Sequence, residues 1–166
     1  MQLSNEWHGL STEHQELIMS FQNEVPMKLG ALAQRLGITV FSATLPSNIS
    51  GEIKETDGKI IIKVNRHDTK PRQRFTLAHE IAHFLLHKHL LANGIVDDVL
   101  YRSSQSNTIE AEANRLAADI LMPPSIVNEI LRSCSHLTDR EKKLEEVAQQ
   151  MDVSLTALKI RMGLMK

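Results

Sequence analysis

The sequence is poor in cysteine and in aromatic residues, and it has no long apolar run. Cys134 is the only cysteine, so no internal disulfide can form, and we expect a reducing compartment. No apolar stretch approaches the roughly 20 residues of a membrane-spanning helix. Residues 1–10 lack the basic and apolar regions of a secretory signal. These absences together predict a cytoplasmic protein with no membrane segment.

The chain also lacks a marked excess of positive or negative charge. The 166 residues include 19 lysines and arginines and 20 aspartates and glutamates, for a formal net charge of −1. Bulk electrostatic attraction to nucleic acid or to an anionic membrane is therefore not expected. Apolar residues make up 42% of the chain, which is ordinary for a globular protein and excludes global disorder. A chain of this length suffices for one domain with a proper core.

The apolar spacing predicts an α+β protein that is mostly helical. Residues 52–56 and 59–64 are typical of a hairpin around Asp57-Gly58, a dipeptide that favours a tight turn. We expect a small antiparallel sheet with residues 59–64 at its edge, where an extended peptide could pair. Residues 139–166 predict a helix-turn-helix-like pair packed on a domain of residues 1–138. Helical spacing occurs in the segments 12–21, 29–36, 70–90, 108–121, 125–132, 144–151 and 154–162.

The strongest functional signal is an H-E-x-x-H pattern formed by His79, Glu80 and His83. On a helix, residues four apart share one face, so both imidazoles can reach one tetrahedral cation. Glu80 lies about 100° round the helix from His79, which suits a general base that takes a proton from water. The pattern predicts a hydrolytic zinc site, although these ligand types also accept manganese and iron.

A hydrolytic zinc site needs a third protein ligand and an open position. One class of zinc peptidases places a histidine six residues after the second ligand, which is the position of His89. That arrangement needs a glycine midway, where this chain has Leu86. Because Leu86 should let the helix continue, we expect His89 to point away from the metal.

The alternative third ligand is a carboxylate on the predicted helix 108–121. The two glutamates are distinguished by where they lie relative to the apolar face of this helix, which we assign to Ile109, Ala113, Leu116, Ala117 and Ile120. This spacing favours Glu110 as the ligand and directs Glu112 toward solvent.

Three further residues are candidates for supporting roles. Asn114, one turn after Glu110, could hydrogen-bond a ligand histidine. Tyr101 could donate a hydrogen bond to a developing oxyanion, or it could simply pack. His87 follows His83 by four residues, but the helix has then climbed about 6 Å, so we expect His87 beside the site or in the core.

Several blocks of sequence surround these candidates: R-F-T-L-A-H-E-I-A-H at 74–83, L-L-H at 85–87, E-A-E-A-N at 110–114 and L-M-P at 121–123. In these blocks the sequence resembles the ImmA/IrrE family of bacterial and phage metallopeptidases. The resemblance covers nearly the whole chain from Pro26 onward. One departure is Ala82, where the family often has glycine.

The resemblance implies a zincin-like zinc endopeptidase of the gluzincin kind. It makes His79, His83 and Glu110 the ligands of one Zn²⁺ and Glu80 the base. It also implies that the substrate is a helix-turn-helix repressor or antitoxin-type protein, whose cleavage relieves repression in a prophage, mobile element, toxin–antitoxin pair or stress response.

The alternative function is a regulatory DNA- or protein-binding module whose metal site is structural or unused. In such a DNA-binding module the tail 139–166 would contact the duplex. Its second helix offers only Lys159 and Arg161 as basic contacts, which is few for a DNA reader. Direct nucleic-acid binding is therefore disfavoured.

Overall fold

The computed structural model describes residues 1–98 and 104–166, which form a small sheet with helices packed on one face. The strands are β1 (Ile38–Ala43), β2 (Ile49–Thr56), β3 (Lys59–Asn65) and β4 (Ile95–Asp98). The helices are α1 (Asn5–His8), α2 (Thr12–Gln22), α3 (Leu29–Arg35), α4 (Lys70–Leu86), α5 (Ser104–Leu121), α6 (Pro124–Ser133), α7 (Arg140–Met151) and α8 (Leu155–Arg161). The α+β class is thus confirmed. Within the described ranges, no helix has both the length and the apolar character needed to cross a membrane.

The predicted hairpin is present as β2 and β3. Its turn residues Asp57 and Gly58 have φ angles of 52° and 74°, the left-handed values that a two-residue hairpin turn requires. Each strand alternates between faces: Ile53 and Ile62 are buried against the helices, while Lys54 and Lys63 are exposed on the other face. The hairpin therefore supplies the inner face on which the core is built.

The sheet is mixed, and β3 lies inside it. The strand order is β1-β3-β2-β4, with β1 parallel to β3 and the other pairs antiparallel. The expectation that residues 59–64 form a sheet edge is therefore wrong, as is a sheet that is antiparallel throughout. The reason is the parallel pairing of β1, in which Ile38 lies opposite Ile60. Among the described strands, β1 and β4 are the edges.

Helix α4 lies between the sheet and α5, because it contacts β2 and β3 on one side and α5 on another. Ala78, Ile81 and Ala82 are fully buried in these contacts. Pro71 stands in the first turn, where its missing N–H costs nothing. The helix that carries the H-E-x-x-H pattern is thus held on both sides.

Helix α4 ends at Leu86, four residues earlier than the sequence predicts. His87 leaves the helical conformation with φ −124° and ψ 34°, and a 3₁₀ turn at Lys88–Leu90 follows. The argument that Leu86 carries the helix past His89 is therefore wrong. His89 is exposed on the 3₁₀ turn.

The tail forms the two helices of a helix-turn-helix-like pair, α7 and α8. Asp152 takes the left-handed conformation between them, with φ 54°, at a position where glycine is common. Its carboxylate lies 2.9 Å from Nζ of Lys70 at the start of α4. Arg161 of α8 pairs with buried Asp119 of α5 at 2.7 Å. The tail therefore contacts both helices that carry the candidate site.

Candidate metal centre

His79 and His83 on α4 and Glu110 on α5 point their side chains at one another, and we call this cluster the convergence. Nε2 of His79 lies 2.8 Å from one carboxylate oxygen of Glu110, and Nε2 of His83 lies 3.2 Å from the other. The two Nε2 atoms are 3.1 Å apart. The spacing of four residues on α4 puts both rings on one face, and the packing of α5 on α4 brings the carboxylate to them.

Burial and mutual hydrogen bonds shift the pKa values of the three residues in different directions. Burial opposes a charge on His79, but its hydrogen bond to Glu110 and the charge of Glu80 outweigh this and raise its pKa to about 9. Burial lowers the pKa of His83. Burial would raise the pKa of Glu110, but its hydrogen bonds with the two histidines lower it to about 2. Without a cation, therefore, a protonated His79 neutralises Glu110.

Outer hydrogen bonds occupy the Nδ1 atoms of both histidines. Nδ1 of His79 is 2.9 Å from Oδ1 of Asn114, the residue considered above as a hydrogen-bond partner for a ligand histidine. Nδ1 of His83 is 2.8 Å from Nδ1 of His87, which is buried beside the site as expected. Nε2 of His87 is in turn 2.7 Å from Oε2 of Glu112. Both Nε2 atoms of His79 and His83 are thereby left facing the convergence.

Glu112 therefore does not simply point toward solvent, as the helical-wheel argument predicted. Its side chain is one-third exposed, and one oxygen contacts His87. The helical wheel directed Glu112 toward solvent because it had no account of a histidine just beyond the end of α4 that reaches this side of α5. The spacing of His87 four residues after His83 was the available signal.

Glu80 lies beside the convergence and is wholly buried. Neither of its carboxylate oxygens has a hydrogen-bond partner within the described part of the chain. Burial raises its pKa to about 8. A buried, unpaired carboxylate is costly, so its retention beside the two histidines is typical of a functional acid or base.

Two residues that the sequence analysis missed also shape the site. Asp97, on the edge strand β4, brings a carboxylate oxygen within 4.8 Å of ligand-type atoms of His79 and Glu80. Gly51, on β2, lets that strand approach α4: a Cβ there would lie 2.5 Å from Cγ2 of Thr76 and 3.3 Å from Oε1 of Glu80. The signal for Asp97 was an acidic residue at an inward position of a short strand.

The other candidates fall outside the convergence. His89 is exposed on the 3₁₀ turn and is not a member of the His79–His83–Glu110 cluster. Tyr101 lies outside the described residues, so its expected contact with an oxyanion stays a prediction. Cys134 is buried and free of any disulfide.

The donor set fits a zinc ion. Two imidazole nitrogens and one carboxylate are the ligands of many hydrolytic zinc sites, which leave the fourth position open. Each of the two histidines has the outer hydrogen bond that fixes a ligand imidazole. The buried carboxylate of Glu80, which has no partner in the described part of the chain, lies beside these ligand-type atoms, where a hydrolytic site needs a base. The residues present therefore suit a zinc ion.

Two curated proteins are similar to this chain. It is 34% identical to the radiation response metalloprotease IrrE of Deinococcus deserti over 99 residues, which cover 58% of this chain and 34% of that protein. It is 33% identical to the protein of the same name from Deinococcus radiodurans over 99 residues, covering 58% and 29% of the two chains. The chain thus spans about a third of the length of these relatives.

A family comparison covers more of the chain. The sequence profile of the peptidase family described as the IrrE N-terminal-like domain matches residues 33–162. The matched range contains His79, Glu80, His83 and Glu110, and it also contains the four strands and both tail helices. Because it spans well over half of the sequence, the chain belongs to the metallopeptidase family of the IrrE N-terminal-like domain.

Proposed function

We propose that this protein is a cytoplasmic, zinc-dependent endopeptidase that cleaves one helix-turn-helix repressor or antitoxin-type protein and so relieves repression. Membership of the peptidase family supports the reaction class. The observation that carries the proposal is the buried carboxylate of Glu80, which has no hydrogen-bond partner among residues 1–98 and 104–166 and lies beside the converging His79, His83 and Glu110.

The proposed reaction assigns separate tasks to the four residues. His79, His83 and Glu110 would hold the zinc ion. When bound, zinc acts as a Lewis acid on a water molecule and on the scissile carbonyl. Glu80 accepts a proton from the attacking water as the new carbon–oxygen bond forms. The same carboxyl then delivers this proton to the amide nitrogen as the carbon–nitrogen bond breaks.

The environment of Glu80 suits both halves of this proton transfer. Burial raises its pKa to about 8, which favours the acid form that returns the proton. A cation on the neighbouring ligands favours the carboxylate form that accepts it. Because a general base works best with a pKa near the working pH, these opposing influences suit hydrolysis near neutrality.

The edge strand β4 is the better candidate for pairing with an extended substrate, because β3 is paired on both sides. Strand β4 has four residues and carries Asp97 next to the site. So short a strand offers few main-chain hydrogen bonds, and docking of a folded partner would have to supply the remaining affinity. This supports a selective enzyme over a general protease.

The DNA-binding alternative loses support from the ion pairs of α8. Lys159 pairs with Glu141 of α7, and Arg161 pairs with Asp119 of α5. These are the two basic residues that a recognition helix in the tail would offer. Since both are engaged within the chain, a contact with phosphate would have to break them.

The test compares Glu80→Gln with the native protein, both loaded with zinc, on a panel of purified helix-turn-helix repressors and on casein. We expect the native protein to cut one repressor and to leave casein largely intact. Glu80→Gln should keep one zinc per chain and lose about 10²–10⁴-fold in rate, because the amide cannot accept the proton. The exposed Glu129→Gln is the matched control and should cleave normally.

Two results would count against the proposal. Wild-type cleavage by Glu80→Gln would remove the assigned base. Rapid digestion of casein with no preference for any repressor would contradict a dedicated substrate while leaving the peptidase activity intact.

A further inference from the structure

A continuous line of hydrogen bonds leads from the candidate site to the surface of α5. It runs from His83 Nδ1 to His87 Nδ1 over 2.8 Å, and from His87 Nε2 to Glu112 Oε2 over 2.7 Å. His83 and His87 are buried, with 0% and 4% of their surface exposed, whereas the Glu112 side chain is 34% exposed. The contacts thus join a buried ligand candidate to a carboxylate at the solvent boundary.

The direction of these hydrogen bonds is set by the carboxylate. An ionised carboxylate only accepts hydrogen bonds, so Nε2 of His87 must carry the proton and donate to Glu112. In neutral His87 the lone pair then lies on Nδ1, which accepts from His83. His83 consequently carries its proton on Nδ1, and its Nε2 presents a lone pair to the convergence. The carboxylate of Glu112 therefore determines the tautomer of His87, and His87 determines the tautomer of His83.

We propose that Glu112 and His87 form a tautomer relay, acting as positioning residues that hold His83 in the orientation and tautomer required to bind the metal. The inference rests on the proposed metal-binding function of His83, but it concerns residues that the H-E-x-x-H pattern does not include. Carboxylate or carbonyl partners on ligand histidines fix the ring and make the ligand nitrogen more basic.

The relay explains why two acidic residues and an amide are close together on α5. Glu110 enters the convergence itself, and Asn114 accepts directly from His79. The direct contact suffices for His79, since Asn114 lies within reach of its ring. His83 donates instead to His87, and His87 in turn donates to Glu112 on α5. Each ligand histidine of α4 thus depends on α5 for its tautomer.

The test is a zinc titration with a competing chelator, without any substrate, on His87→Ala, Glu112→Ala and the double variant. Each single change should weaken zinc binding by about 10–100-fold, the usual effect of removing an outer partner of a ligand histidine. If Glu112 acts through His87, the double variant should bind zinc no more weakly than His87→Ala. The exposed His89→Ala is the matched control and should retain native affinity.

Glu112→Gln provides an independent arm, because its amide oxygen can still accept from His87. It should bind zinc more tightly than Glu112→Ala, a rescue that does not depend on His87→Ala folding. Circular dichroism of the metal-free variants checks that each is folded.

Three results would overturn the relay. These are native zinc affinity in both single variants, losses that multiply in the double variant, and equal affinity in Glu112→Gln and Glu112→Ala. None of them depends on peptide cleavage. If zinc affinity depends on the relay as expected but the protein cuts no repressor, only the proposed substrate is contradicted. If the native protein binds no zinc, the proposed function itself is contradicted.

Discussion

Oδ1 of Asn114 lies 2.9 Å from Nδ1 of His79, so an amide of α5 orients a histidine of α4. Asn114 stands one helical turn after Glu110, whose carboxylate contacts Nε2 on the other side of the same ring. Both ring nitrogens of His79 therefore contact side chains from one turn of α5. The geometry of the site consequently depends on the packing of these two helices, and residues that control this packing should affect metal binding.

The first prediction concerns the ligands. Alanine at His79, His83 or Glu110 should reduce bound zinc far more than the loss of an outer hydrogen-bond partner, which costs about 10–100-fold in affinity. Each of these changes removes one of three donors from the convergence. The metal content of purified protein, measured by atomic emission, provides the check.

Glu112→Ala is the informative comparison for that experiment. It should retain zinc when the metal is in excess and lose it to a strong chelator, because Glu112 contacts His87 rather than the convergence. Complete loss of zinc from Glu112→Ala in excess metal would mean that the wrong carboxylate has been chosen as the ligand.

The second prediction is a dependence of zinc binding on pH. In the metal-free protein the hydrogen bond to Glu110 outweighs burial and raises the pKa of His79 to about 9, so His79 carries a proton at neutral pH. A cation can bind only after this proton leaves. The apparent affinity should therefore rise with pH toward 9 and fall by up to about tenfold per unit below it.

Calorimetry in two buffers with different ionisation enthalpies would measure the proton released at pH 7. We expect net proton release on zinc binding. Uptake of protons, or an affinity that is flat between pH 6.5 and 8.5, would show that His79 is already neutral in the metal-free protein.

The third prediction concerns the close approach of β2 to α4. Gly51→Ala would place a Cβ 2.5 Å from Cγ2 of Thr76 and 3.0 Å from the carbonyl oxygen of Lys63, so the strand must shift. We expect the free energy of unfolding to fall by about 1–3 kcal/mol, as for other overpacked sites. Urea unfolding followed by circular dichroism measures this change.

Gly30→Ala is a suitable control because an added Cβ at this exposed position of α3 would meet no described atom within 4 Å. Alanine is also the better helix former, so Gly30→Ala should be neutral or stabilising by up to about 1 kcal/mol. Unchanged stability of Gly51→Ala would show that β2 and α4 adjust without cost.

The fourth prediction concerns the attachment of the tail. Asp119 is fully buried, and Arg161 neutralises it at 2.7 Å. Arg161→Ala would leave that charge without its cation, and we expect a loss of about 3–5 kcal/mol in the free energy of unfolding. Thermal unfolding would report the loss, with exposed Arg140→Ala as the control. A small effect equal to that control would indicate that the hydrogen bonds from Ser4 suffice for Asp119.

Some features of the fold and of the site depend only on local backbone geometry, so they could be predicted from the sequence. The shared face of His79 and His83 follows from a spacing of four on a helix, since the backbone hydrogen bonds of the helix fix it regardless of the surroundings. The turn at Asp57-Gly58 is equally local, because those two residues tolerate the left-handed backbone that the turn requires. The preference for Glu110 over Glu112 came from the apolar face of one helix and agrees with the observed convergence.

Other features needed the folded chain. Nothing in residues 38–43 indicates that they pair in parallel with β3, because such pairing joins segments that are distant in sequence. The end of α4 at Leu86 was missed for a related reason: the local helical pattern continues, yet His87 leaves it while its ring contacts Glu112. Asp97 reaches the site only because β4 pairs with β2.

By itself the sequence determined the chemistry available on each element: two histidines and a base on one helix, and a carboxylate and an amide on another. Spacing along a helix fixes these relations, and they survive any arrangement of the rest of the chain. Only the tertiary structure decided which elements meet. Contacts such as Glu110 with His79, or Glu112 with His87, depend on how α4 and α5 pack and on where α4 stops, and burial across the whole fold sets both.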